Sequence, residues 1–327
     1  MNYNEKLNIV VASDENYVPH LETLIVSIAE NNKNVDWILI HVLDGGIKPE
    51  SVASIQKLKE RYENLDFKFY SMSEESISNL LGGRIKKDRS LSAYARVFIP
   101  DIIQENRALY LDVDAIVLDS LDELYNLDME GFAIAGVRDT NPILRHRNVG
   151  LTDNDVYINS GMILWNLKKC REIGAVNQCV DFVRSCNGQI DAMDQGTING
   201  VFGKQGLINP IHPRFNAFTS LFQMKKREIL ELYGLPAYYS DEEIMEARKH
   251  PVFVHFTPNM TTRPWMEHCS HPLRDEYWRY RKMTNNPERR LHPDTRSKKL
   301  RVVAWGFRYL PFEIWLRLLR LRNKETE

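Results

Sequence analysis

Two carboxylates stand one residue apart at the end of an apolar run, Ala108-Leu109-Tyr110-Leu111-Asp112-Val113-Asp114. In an extended chain residues i and i+2 share a face, so Asp112 and Asp114 project to the same side. Like charges that close repel, and a hard divalent cation such as Mg²⁺ or Mn²⁺ relieves this while leaving room in its shell for phosphate oxygens. The same pair could simply cap a strand. His255 lies in a second apolar run, Val252-Phe253-Val254-His255-Phe256, where an imidazole is either a core residue or a cation ligand. The chain after it ends in Thr262-Arg263-Pro264-Trp265. The planar fork of Arg263 matches the oxygens of a diphosphate.

The elements that must position these groups read as alternating strands and helices. Leu7–Ala12 is a Val- and Ile-rich strand, followed by the polar loop Ser13–Tyr17 and a helix with the stripe Leu21, Leu24, Ile25, Ile28 and Ala29, Pro19 lying in its first turn. The unit repeats with a strand over Trp37–Leu43, a helix from about Pro49 to Tyr62 and a strand over Leu65–Tyr70. Such repetition predicts an α/β fold with a mostly parallel sheet flanked by helices, whose ligands bind beyond the carboxyl ends of the strands where strand order switches. The loop after the first strand is then a ligand loop. It holds no G-x-G-x-x-G, and no G-x-x-x-x-G-K-[ST] occurs anywhere, which disfavours an oxidoreductase and a P-loop enzyme. Further on, Ser90–Ile99 reads as a helix carrying Tyr94-Ala95-Arg96 and closed by Pro100. Strands are predicted over Phe132–Val137, Tyr157–Leu164 and Val252–Phe256, with helices over Ala175–Ser185 and Asp194–Phe202. Arg138–Asp155 reads as a long functional loop.

With 43% hydrophobic and 27% charged residues in 327, the composition excludes a disordered chain, a fibre and a multi-span membrane protein. The net charge of −1 conceals a division: residues 281–327 carry 13 bases against 5 acids, so a +8 tail follows a −9 body. Two parts are expected, a catalytic domain over 1–280 and a basic tail over 281–327. In the tail Phe312, Trp315, Leu316 and Leu319 form an apolar stripe, with Glu313, Arg317 and Arg320 opposite. That pattern suits a helix lying on an anionic membrane surface rather than on nucleic acid, or one packed on the body. Four cysteines without C-x-x-C spacing suit a reducing compartment, and the polar start Met1–Leu7 carries no apolar leader. A cytoplasmic protein associated peripherally with the inner membrane face is expected.

Five blocks in order make the chain resemble the family 8 glycosyltransferases over roughly Leu7–Trp265. They are Val11-Ala12-Ser13-Asp14-Glu15-Asn16-Tyr17 with Tyr94-Ala95-Arg96, the Asp112-Val113-Asp114 block, Tyr157-Ile158-Asn159-Ser160-Gly161, Met193-Asp194-Gln195, and His255 with Arg263-Pro264-Trp265. The resemblance implies a GT-A fold and a retaining hexosyltransferase using a UDP-sugar and Mn²⁺ or Mg²⁺. It places Ala12, Asp14, Asn16 and Tyr17 around uracil and ribose, and Arg96, Asn159, Ser160, Asp194 and Gln195 near the donor sugar. Asp112, Asp114 and His255 become metal ligands, with Val113 beside the donor. Gln195 would face the anomeric carbon, where an amide is a poor nucleophile, so front-face attack by the acceptor hydroxyl is favoured over a covalent intermediate. The acceptor implied is a glycan or glycolipid, as in bacterial cell-surface polysaccharide or lipooligosaccharide synthesis. Asp194 also fits a helix N-cap. The chain departs from the family where Pro258 and Arg263 replace Gly and Lys, in a loop two residues longer. A nucleotide-sugar-binding protein without turnover and a metal-dependent phosphohydrolase are the competing readings.

Overall fold

A computed structural model describes residues 6–81, 91–288 and 290–324. Its strands are β1 (Lys6–Ser13), β2 (Trp37–Asp44), β3 (Leu65–Ser71), β4 (Arg107–Leu111), β5 (Ala115–Val117), β6 (Ile134–Gly136), β7 (Met162–Asn166), β8 (Ile208–Pro210), β9 (Ala217–Phe218) and β10 (Phe253–His255). Seven of them form one sheet in the order β3-β2-β1-β4-β7-β6-β8, and the other three form a small sheet, β5-β10-β9. In the large sheet β7 alone runs against its neighbours.

The near-continuous hydrophobicity of β1 follows from burial on both faces. Leu7, Ile9 and Val11 enter one core with Leu109 and Leu111 of β4, whereas Val10 enters a second core on the opposite face with Tyr110. The chain builds outward from β1 through β2 to β3 and then returns to β1's other edge as β4. That reversal opens a crevice beyond the carboxyl ends of β1 and β4. Asp112-Val113-Asp114 lies between β4 and β5, where the chain leaves the large sheet and joins the small one.

Several boundaries differ from the pattern reading. Over Leu91–Phe98 the chain is a 3₁₀ helix leading into a short α-helix, Ile99–Ile102, with Pro100 in its first turn rather than at a helix end. Proline is tolerated there because first-turn N–H groups have no intrahelical partner. Ser90 lies outside the described residues. The helix begun at Pro49 stops at Gln56 and tightens into a 3₁₀ turn over Lys57–Glu60. The strand expected over Tyr157–Leu164 is Met162–Asn166, and before it the backbone makes one bridge, Ile158 to Arg138. The helix read over Asp194–Phe202 is Met193–Ile198 followed by a π-turn over Asn199–Gly203. Its N-cap is Ala192, so Asp194 lies inside the first turn and its side chain is free for another task. The Arg138–Asp155 loop contains a short helix, Ile143–Asn148.

The tail is a helical hairpin, Lys298–Tyr309 and Phe312–Lys324. The stripe read as a membrane face turns inward: Trp315 and Leu316 are buried, the indole N–H of Trp315 donating to the Val303 carbonyl at 3.0 Å. The residues read as the polar face partly tie the hairpin to the body, Glu313 to Arg227 and Arg320 to Glu231. Val302, Trp305, Tyr309, Ile314, Leu318 and Leu321 face outward instead. Between body and hairpin, His292 exchanges backbone hydrogen bonds with Trp265 and Glu267, fastening the tail's first segment to the loop that carries Arg263.

Four histidines, His20, His41, His146 and His271, are at most 7% exposed. Burial lowers their pKa to about 3 for His20 and about 4 for the others. The folded state refuses protons that unfolded imidazoles accept near about 6.5, so stability falls as pH drops from there towards 4, by up to about 1.4 kcal/mol per pH unit for each. Asp139, Asp194 and Glu22, whose carboxyls burial raises, oppose this and make the slope shallower. Urea unfolding is expected to show a falling free energy from pH 7 to 5 with net proton uptake; a flat profile would contradict it.

Candidate active site

Antiparallel pairing of β10 with β5 sets His255 opposite Ala115, and the Phe256 N–H donates to the Asp114 carbonyl at 2.9 Å. This register brings the imidazole to the two carboxylates. Nε2 of His255 lies 3.0 Å from Asp114 Oδ1 and 3.8 Å from Asp112 Oδ2. One ligand atom from each of Asp112, Asp114 and His255 falls within 4.8 Å of the others. Arg263 donates from Nε and a terminal nitrogen to Asp114 Oδ2, at 2.9 and 2.7 Å. Burial pushes the Asp114 carboxyl up, but His255 and Arg263 outweigh it and keep the group ionised well below the usual carboxylate range. Burial likewise opposes charge on His255, and Asp114 reverses that, raising its pKa. Two carboxylate oxygens and one imidazole nitrogen suit a divalent cation with open positions.

The trio is close because Gly161 leaves space. The Asp112 N–H donates to the Gly161 carbonyl at 2.8 Å, and a Cβ on Gly161 would stand 2.1 Å from His255 Cε1 and 2.9 Å from Asp112 Oδ2. No other residue fits without displacing His255 or Asp112.

Arg96 organises the neighbouring acids. It lies 2.9 Å from Asp112 Oδ1 and 3.0 Å from Asp194 Oδ2, donates to the Ser160 carbonyl at 2.7 Å, and covers the Tyr110 ring. Tyr110 in turn donates its hydroxyl to Asp112 at 2.7 Å. Burial raises the Asp194 carboxyl despite the Arg96 charge beside it. The Gln195 amide is held from both ends, its oxygen accepting from the Ser160 N–H at 3.0 Å and its nitrogen donating to Asp139 Oδ2 at 2.7 Å. Asn159 turns its amide oxygen to the Gly161 N–H and to Asn216, both at 3.0 Å. Ala192 and Met193, just before Asp194 and Gln195, hold positive φ of 58° and 51°. Such backbone costs energy in non-glycine residues, and here it aims two polar side chains into one cavity.

Two recesses meet at this cluster, sharing Arg96 and Asp112. The first, about 330 Å³, is lined by Ala12, Asp14, Tyr17, Val113, Asp114 and Arg263 among others. Asp14 caps the turn after β1, accepting from the N–H groups of Asn16 at 2.8 Å and Tyr17 at 3.2 Å. Asn16 is exposed and does not line the recess. The second, about 570 Å³, is lined by Asp139, Asn159, Ser160, Asp194 and Gln195, with Arg145 and Pro258 at its sides. Pattern reading missed Asp139, Tyr110 and the spatial role of Gly161; Asp139 lies in the aperiodic loop already marked as functional.

The family model described as Glycosyl transferase family 8 matches residues 8–269. The chain belongs to glycosyltransferase family 8. General stress protein A of Bacillus subtilis is 30% identical to this glycosyltransferase over 292 residues, 87% of this chain and 96% of its own. Glycosyltransferase GlyA of Streptococcus pneumoniae is 25% identical over 302 residues, which are 90% of this chain and only 38% of GlyA. Among solved structures, the galactosyltransferase LgtC in complex with donor and acceptor sugar analogues aligns with a TM-score of 0.69 at 22% identity, over 90% of this chain and 99% of LgtC. That likeness shows the GT-A fold.

Gly161→Ala is expected to lower the unfolding free energy by about 1–3 kcal/mol, the cost of overpacking, and to abolish transfer. Urea unfolding and a transferase assay check this, and unchanged values for both would contradict the packing argument.

Proposed function

We propose that this family 8 glycosyltransferase moves a hexose, galactose or glucose, from a UDP-sugar to a glycan acceptor with retention of configuration. The observation that carries the reading is the convergence of Asp112, Asp114 and His255 within 4.8 Å, with Asp112 lining both recesses and Asp114 the first. Asp112, Asp114 and His255 would hold Mn²⁺ or Mg²⁺, which would supply Lewis-acid stabilisation of the charge that develops on a departing diphosphate. Arg263 reaches the same anion from the side of the first recess. Ala12, Asp14 and Tyr17, with Val113, border the space a nucleoside would fill, and Asn16 stays outside it.

In the second recess Arg96 and Asp194 form one buried charged pair that presents polar atoms to sugar hydroxyls, with Asn159 and Ser160 beside it. Gln195, anchored by Ser160 and Asp139, offers an amide rather than a nucleophile. Asp194 is already engaged by Arg96. These two facts support front-face transfer, in which the acceptor hydroxyl yields its proton to the leaving phosphate oxygen as it bonds to the anomeric carbon. Asp139, Thr140 and Arg145 border the side from which a glycan would enter.

The outward face of the tail hairpin combines Val302, Trp305, Tyr309, Ile314, Leu318 and Leu321 with exposed bases such as Arg301 and Arg317. None of the described helices is long and apolar enough to cross a membrane. We assign this face to an anionic bilayer surface, consistent with a cell-surface glycan acceptor on a lipid carrier at the inner, cytoplasmic leaflet.

Thermal unfolding with UDP, GDP or CMP, each with Mn²⁺ or with EDTA, tests the donor assignment. A rise in melting temperature is expected only for UDP with Mn²⁺ together, and Asp114→Asn should erase both it and transfer. Equal shifts with every nucleotide, or none with any, would overturn the assignment. For the tail, vesicles containing phosphatidylglycerol should co-sediment the protein, and Trp305→Ser combined with Leu318→Ser should release it; binding unaltered by these changes would refute the surface.

A further inference from the structure

Arg263 stands where the family pattern has Lys, and its surroundings give that difference a consequence. Both of its hydrogen bonds to Asp114 end on Oδ2, while the other oxygen, Oδ1, faces His255 Nε2 at 3.0 Å. The Arg263 guanidinium and the His255 imidazole therefore engage both oxygens of one proposed metal ligand. The Arg263 side chain also lines the first recess, on the side where a diphosphate would lie, and keeps 23% of its surface exposed. Its loop cannot shift easily. Trp265, two residues on, stacks on His20 with ring centroids 3.8 Å apart, its carbonyl accepts from the His292 N–H at 2.8 Å, and the Trp278 indole donates to the Pro264 carbonyl at 3.1 Å. The backbone is pinned, and the guanidinium retains room to turn.

We infer that Arg263 is a competitor of the divalent cation for Asp114 and a partner of the diphosphate, so that it couples the binding of the two. Arg263 must give up Oδ2 before Asp114 can turn both oxygens to a cation, and a guanidinium beside a second positive charge on the same carboxylate is repelled. Released, its fork fits two phosphate oxygens, a match that a lysine ammonium cannot make. Cation alone is thus held weakly, and diphosphate rewards the release. Linkage requires the coupling to be reciprocal, each ligand tightening the other by the same factor. The inference rests on the proposed metal site.

Isothermal titration of Mn²⁺ without nucleotide, and of UDP at saturating Mn²⁺, on the parent, Arg263→Met and Arg263→Lys tests it, with melting curves confirming that each variant is folded. Arg263→Met should bind Mn²⁺ alone about tenfold more tightly than the parent and UDP about tenfold more weakly, the exchange of one charge-assisted contact in each case. Arg263→Lys, which keeps the charge but loses the fork, should fall between them on Mn²⁺. If Arg263→Met binds Mn²⁺ no tighter, or more weakly, Arg263 merely supports Asp114 as a ligand through Oδ1, and the inference fails while the metal site stands. If Arg263→Lys matches the parent, charge alone acts and the forked competition is refuted. If the parent takes up no Mn²⁺ with or without UDP, the metal reading itself fails and the inference with it.

Discussion

Two carboxylates, Asp112 and Asp114, are held close together at a nearly buried position, and much of the surrounding structure compensates that repulsion. Each is neutralised from a different direction. Arg96 reaches Asp112 from the 3₁₀ segment before β4, and Arg263 reaches Asp114 from the loop after β10. Removing either cation would leave a carboxylate with little water to solvate it, a loss larger than the net value of the pair itself. The burial that makes the cluster costly also strengthens every charge interaction within it.

The handover from β4 to β5 turns that constraint into a site. Had the strand continued in the large sheet, alternate residues would have entered the packed core, and a carboxylate there would have had no partner. Instead the chain exits after Leu111, spends three residues outside any ladder, and joins the small sheet whose neighbour β10 carries His255. Backbone pairing thus brings His255 to Asp114 from 141 residues away in sequence, and Gly161, contributed by the turn before β7, keeps the space open. The positive φ at Ala192 and Met193 is local strain retained where Asp194 and Gln195 must face the cavity.

How legible this was in the sequence depends on the kind of signal. β1 and β2 were plain because strands buried on both faces read as nearly unbroken Val, Ile and Leu runs, and the edge strand β3 showed instead as alternation. Asp112, Asp114 and His255 were legible as residue types, and their reading as metal ligands came only from the ordered family blocks. The 3₁₀ helix over Leu91–Phe98 was not distinguishable, since i+3 and i+4 patterns blur over two turns. The helix Lys298–Tyr309 escaped notice because its apolar residues lie on both sides, Ala304 inward and Val302, Trp305 and Tyr309 outward. The stripe on the last helix was real, but periodicity says only that one face is apolar, and here a neighbouring helix and the body cover it. Asp139 was marked only through its aperiodic loop, with no residue-level signal of its own; its partner is Gln195, 56 residues later.

The proposed chemistry requires Asp112, Asp114 and His255 to act as one metal centre. Anomalous diffraction from crystals grown with Mn²⁺ and UDP addresses this most directly. A single strong manganese peak within bonding distance of all three side chains, with diphosphate density on its open side and Arg263 turned towards it, is the predicted result. A peak elsewhere, or UDP bound with no manganese at the trio, would contradict the account.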